Sequence, residues 1–163
     1  MGENTIPVDE VITFGNERLK MSRSFPPTEG STSETGVTVF SIFSDSISPE
    51  NFDKPDGSPL RVIDSLDAKI DISKRSVHDM GFWHRSLDFS EIIVCVKGAL
   101  RWETELGSHI LLPGQVLCIP RGIAHRSALC NQSEKENVLI EVKIRGDLDY
   151  VGPEAATVTP QGE

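Results

Sequence analysis

GFWHRSLDFSEIIVCVKGALRWETELGSHILLPGQVLCIPRGIAHRSALCN, residues 81 to 131, decides how the rest of the chain is read. Short runs rich in Val, Ile and Leu (SEIIVCV, GALRWETEL, SHILL and QVLCIP) are separated by turn signals, with Gly98, Gly107 and the Pro113–Gly114 pair at the corners. No part of the stretch as long as an ordinary helix keeps a helical period. The pattern predicts an all-β sandwich or barrel, and ENVLIEVKI, further on, continues it.

The same stretch holds the chemically loaded residues. His84 and Glu91 flank the turn LDFS, and the strand that Glu91 begins puts its carboxylate on one face with Ile93 and Cys95. A carboxylate on an inward face is costly unless a cation or hydrogen bonds satisfy it. His125 follows the corner Pro120–Arg121–Gly122 and starts the next strand. Two imidazoles and one carboxylate meeting in a barrel form the facial triad that leaves open positions on Fe(II). Spacing alone leaves open whether they meet. The opposite face of the Glu91 strand, Ile92, Val94 and Val96, is apolar as well, so it predicts a cover from the N-terminal arm or from another subunit.

Outward from this stretch the chain is simpler. Residues 1–36 are rich in Ser, Thr, Glu, Gly and Pro and predict an extended or partly disordered arm. Val37 to Phe43 is the first predicted strand, apolar on both faces. SDSISPENFDKPDGSP reads as a loop, LRVIDSLDAKIDI as a broken pair of short strands, and residues 147–163 as a loose or partner-docked tail. The 163 residues suit one domain, taken as a barrel over residues 37–146. A net charge of -9, from 16 basic and 25 acidic residues, argues against nonspecific nucleic-acid binding. No apolar run reaches membrane-spanning length and no signal-peptide pattern opens the chain, so no membrane is expected and a cytoplasmic location is. Cys95, Cys118 and Cys130 include no CxxC pair and predict reduced, buried thiols.

At this point the residues resemble a family. His84, Glu91 and Gly98 match the first motif of the cupin superfamily, small jelly-roll barrels, and Gly114, Pro120, Gly122 and His125 match the second. The resemblance implies a single cupin jelly-roll barrel behind an extended N-terminal arm. Cupins carry metal on two histidines and a glutamate of the first motif and a histidine of the second. Ser86 stands where the second histidine of the first motif would be. Two alternatives stay open: Fe, Mn or Zn held by His84, Glu91 and His125, or a retained scaffold in which these side chains only hydrogen-bond.

More narrowly, WHRSLDFSE, KGALRWETELG and IPRGIAHR resemble the N-terminal cupin of the homogentisate dioxygenase group, where that cupin is structural and the iron sits in a second one. The implied reading is the small subunit of a two-subunit hydroquinone 1,2-dioxygenase. In it a larger cupin subunit supplies Fe(II), a small phenolic compound is cleaved with O2, and the assembly is a hetero-oligomer. The alternatives are a self-sufficient metal cupin, dioxygenase or isomerase, and a ligand-binding cupin without chemistry. Phe82, Trp83 and Arg85 are the candidate substrate-pocket residues, the aromatics as core filling or as a wall against a planar ring, and Arg85 as a substrate contact or a local ion pair with Asp88. No residue is assigned a catalytic role with certainty. Trp102 is expected in the core and Arg126 as a second contact for a substrate oxygen. His109 is expected exposed or hydrogen-bonded, and His78 and Asp79 fall in a turn without a role.

Overall fold

The computed structural model describes residues 8–23, 36–76, 79–80, 82–130, 136–153 and 155. The chain divides into two compact units, residues 1–39 and 40–163.

In the first unit, β1 (Val8–Phe14) and β2 (Glu17–Arg23) form an antiparallel hairpin in register from Val8 opposite Arg23 to Phe14 opposite Glu17. Gly15 opens its two-residue loop at a φ of 55°, a conformation that favours glycine. A hairpin therefore lies where an extended arm was expected. Its alternation, with Val11 and Leu19 half exposed, was obscured by the Ser- and Pro-rich sequence around it.

The second unit is built from β3 (Leu60–Asp64), β4 (Ala68–Arg75), β5 (Phe89–Lys97), β6 (Leu100–Thr104), β7 (Gly107–Leu111), β8 (Val116–Ile119), β9 (His125–Leu129) and β10 (Asn137–Arg145). All pairings are antiparallel, in a five-stranded sheet ordered β3-β4-β10-β5-β8 and a three-stranded sheet ordered β7-β6-β9. Ile93, Cys95, Leu139 and Ile119 from the first sheet meet Leu100, Trp102 and Leu111 from the second, which is the core. Trp102 is buried there as expected. Among the described residues there is no α-helix, only a short 3-10 turn at Glu50–Phe52.

The corners are held by specific contacts. Gly98 turns from β5 into β6 at a φ of 77°, with the side chain of Asn137 packed where a Cβ would sit and Asn137 Oδ1 accepting from Ala99 N–H at 2.8 Å. Beyond the end of β3, Asn51 stands in for a neighbouring strand: its Nδ2 donates to Ser73 Oγ at 2.7 Å and its Oδ1 accepts from Lys74 N–H at 3.2 Å.

Two expectations are corrected. Val37 to Phe43 is not a strand: Ser41 turns the chain by accepting from Ser44 N–H at 3.1 Å, no strand among the described residues pairs with it, and Val37 and Val39 are exposed. An apolar run without a partner for its backbone groups has no reason to extend. Of the thiols expected to be buried, Cys95 is, but Cys118 is exposed and Cys130 intermediate. Cys118 lies on β8 at the sheet edge, opposite in parity to the buried Ile119.

Candidate metal centre

Burial along β5 alternates as the sequence predicts, with Glu91, Ile93 and Cys95 buried and Ile92, Val94 and Val96 half-buried. That alternation sends the Glu91 carboxylate into the barrel. On β9, His125 and Ser127 share the inward face with Trp102 of β6, which stands opposite Ser127. His84 precedes β5 and reaches β9 through a two-way backbone bridge, His84 N–H to His125 O at 3.1 Å and His125 N–H to His84 O at 2.9 Å. The two imidazoles meet edge to face with ring centroids 4.4 Å apart.

Glu91, His84 and His125 therefore converge, with one potential ligand atom from each lying within 4.8 Å of the others. His125 Nδ1 is 2.9 Å from Ile123 O, so it carries the proton and leaves the Nε2 lone pair facing inward. Nε2 lies 3.5 Å from Glu91 Oε2, ion-pair distance without hydrogen-bond geometry. His84 Nδ1 and His125 Nε2 are both shut off from solvent with no hydrogen-bond partner. Two imidazoles and a buried carboxylate whose ligand atoms converge, with unpartnered ring nitrogens on both histidines, are what a divalent cation would satisfy, and the donor set suits Fe(II), Mn(II) or Zn(II).

The electrostatics agree with a site that holds charge. Burial pulls the His84 imidazole below its ordinary pKa, and the neighbouring His125 adds to that. Burial also acts to raise the Glu91 carboxyl, but the contact with His125 and the charge of Lys143 outweigh it and hold the group below the usual range. For His125 burial is outweighed by Glu91 and by the Ile123 carbonyl, which raise it.

Ser86 is not a fourth ligand. Its hydroxyl accepts from Phe89 N–H at 3.0 Å and its carbonyl accepts from Gly122 N–H at 2.6 Å, so the residue clasps the turn before β5 to the corner before β9.

The candidate pocket residues are placed differently from one another. Phe82 is half exposed, its ring centroid 5.7 Å from that of His84. Trp83, also half exposed, lies under the Arg126 guanidinium at 5.4 Å and lines an open groove of about 440 Å³ with residues 103–108. Arg126 also pairs with Glu103 at 2.5 Å, and both alternate with the inward residues of β9 and β6, so this groove is on the outer surface of the sheet. Neither aromatic is core filling. Arg85 is exposed and makes no ion pair with Asp88 among the described residues. Asp79, given no role from sequence, accepts from Leu129 N–H at 2.7 Å and ties its segment to β9. His109 is partly buried on β7 opposite Trp102 and is not among the three converging residues, and His78 lies outside the described residues.

Sequence reasoning missed a second polar constellation. Facing Glu91 and Ile93 across β5 and β10 are Lys143 and Glu141, and facing Glu141 on β4 is Asp71. Asp71 is buried and shared by Arg61 and by Lys143, the latter at 3.1 Å. Burial pushes the Glu141 carboxyl up to about 7. Arg75, two residues beyond Ser73 on the same face, is 3% exposed. The signal was present only as alternation in DAKIDISKR and ENVLIEVKI, which does not say which face is inside.

No family model and no curated protein matches the chain. Solved structures do. One is a candidate mannose-6-phosphate isomerase from Ralstonia eutropha JMP134, 24% identical with a TM-score of 0.51, covering 66% of this chain and 98% of that one. Others are a cupin domain from Bordetella pertussis Tohama I (26% identical, TM-score 0.44, 53% of this chain and 91% of that one) and a cupin-2 domain containing protein from Shewanella frigidimarina (20%, 0.45, 54% and 80%). The fold is the cupin jelly roll.

Proposed function

We propose that this chain is a self-sufficient metal-dependent enzyme of the dioxygenase or isomerase type, with one divalent cation on His84, Glu91 and His125. The observation that carries the reading is the convergence of one potential ligand atom each from His84, Glu91 and His125 within 4.8 Å, with His125 Nε2 buried, without a hydrogen-bond partner and 3.5 Å from Glu91 Oε2. A cation held there would supply Lewis acidity and open coordination positions for a small oxygen-bearing substrate. The chain's own residues do the rest. Ile123 holds the His125 tautomer, the backbone bridge fixes the spacing of the two imidazoles, and Lys143 supports the ionised Glu91.

The test is metal analysis and Mn(II) titration of the purified chain, beside His125→Ala and Glu91→Gln. One Mn(II) per chain, falling by about tenfold or more in affinity in each variant, is expected. A folded wild-type chain that takes up no Mn(II), Fe(II) or Zn(II) would refute the reading.

A second reading has one observation in its favour. Ser86 spends its hydroxyl on a turn in the place of a fourth ligand, as suits a barrel that works as the small subunit of an Fe(II) ring-cleavage dioxygenase for hydroquinone-type phenols. In that reading a larger cupin partner holds the iron and this chain supplies interface, with Trp83 facing the partner. Co-expression with a larger cupin followed by oxygen-uptake assay on hydroquinone separates the two. Activity only in the co-purified complex supports the second reading, and metal bound stoichiometrically by this chain alone supports the first.

A further inference from the structure

Besides His84 Nδ1 and His125 Nε2, four buried polar atoms of the described residues have no hydrogen-bond partner: Arg75 Nη1, Asn137 Nδ2, Trp102 Nε1 and Ser127 Oγ. Three of them can only donate, and the hydroxyl can donate as well. Arg75 and Asn137 are opposite one another across β4 and β10, and Trp102 and Ser127 are opposite across β6 and β9. Each sheet thus turns one row of unsatisfied donors inward. An interior with surplus donors is complementary to a ligand rich in acceptors.

Arg75 is the decisive member. Its side chain makes no hydrogen bond and no ion pair among the described residues, although it is 3% exposed. The other cations on this face of the sheet are engaged, Arg61 and Lys143 with Asp71, and Lys69 with Asp64. Glu141 and Asp79 are the acidic groups whose charge reaches Arg75, yet neither comes within ion-pair distance. A buried guanidinium without an ion-pair partner is among the costliest groups a barrel can retain. It is also the side chain whose planar fork matches a carboxylate with two parallel hydrogen bonds.

We propose that the barrel binds a small organic acid, its carboxylate held by Arg75, and its remaining oxygen groups directed to His84, Glu91 and His125. This rests on the metal-site reading and names its substrate class. Arg75 is near enough for its charge to bear on His84, and Trp102, of the second donor row, has its ring centroid 5.9 Å from that of His125. One carboxylate neutralises one guanidinium. A phosphate dianion would bring a second negative charge toward Glu91, Glu141 and Asp71, which the engaged cations do not offset.

The test uses the full chain loaded with Mn(II), pyruvate as the probe, and methyl pyruvate and inorganic phosphate as controls, with binding read by calorimetry. Pyruvate is expected to bind at least about tenfold tighter than its neutral ester. Arg75→Gln and Arg75→Met are expected to erase that difference while the Mn(II) stoichiometry stays unchanged. Both variants are also expected to melt higher than wild type without pyruvate, because an unpaired buried charge has been removed; a structural ion pair would give the opposite sign. Equal binding of pyruvate and methyl pyruvate by the wild-type Mn(II) protein overturns the proposal, as does phosphate binding in place of pyruvate. Arg75-dependent pyruvate binding by a chain that takes up no metal would sink the metal reading and leave the acid site standing.

Discussion

Glu141 gives the barrel a pH-dependent contribution to stability that can be traced to one residue. Its carboxyl rises from an ordinary 4.5 to about 7 in the folded protein, chiefly through burial. The folded state therefore binds this proton more tightly than the unfolded chain does. Its contribution to stability is full below 4.5 and is lost as pH rises toward 7, on the order of 3 kcal/mol across the window. Urea unfolding of the metal-free chain from pH 4.5 to 8 should show this decline, and Glu141→Gln should flatten it. In the core, Ile93→Ala removes a fully buried side chain between the sheets and should cost about 2–5 kcal/mol in the same assay. At this scale much of the candidate metal site was legible. Glu91 declared its inward face by sharing parity with Ile93 and Cys95, and His84 and His125 stood at motif positions. Arg75 did not declare itself, because a basic residue at the end of an alternating strand reads as solvated until its cross-strand neighbours are known.

The elements carry information that no single residue does. β4 and β10 alternate polar and apolar side chains, and the usual inference puts the polar face in water. Here Asp71, Ser73, Arg75 and Glu141 are all buried, and Asp71 bridges three strands through Arg61 on β3 and Lys143 on β10. The period of a strand was therefore readable and its orientation was not. Asp71→Ala would leave Lys143 and Arg61 without their shared carboxylate and should destabilise the chain by about 3–5 kcal/mol, measured by chemical unfolding. Val37 to Phe43 makes the converse point: its residues have strand propensity, but the sheet order offers no edge to which it pairs.

For the molecule as a whole, the metal reading predicts a linked stability. Mn(II) at about a hundredfold excess over its dissociation constant should stabilise the chain by about 2.7 kcal/mol and raise the melting temperature by several degrees, and chelator should reverse it. The same addition to His125→Ala should leave the melting temperature unmoved. The barrel architecture was legible from turn spacing and short apolar runs. What stood outside reach was the division of labour inside it, with an apolar core at one part of the two sheets and a charged interior between β4, β10 and Glu91.

The position of β10 adds a temporal consequence. It lies between β4 and β5 in the sheet but follows every other strand along the chain. During vectorial synthesis, His84, Glu91 and His125 all emerge before the strand that joins β4 to β5. The larger sheet stays split, with β5 and β4 each lacking a neighbour, until residues 137–145 insert. Assembly of the site is thus gated by a late insertion, and a ribosome-stalled chain ending before residue 137 should be protease-sensitive with all three candidate ligands already made.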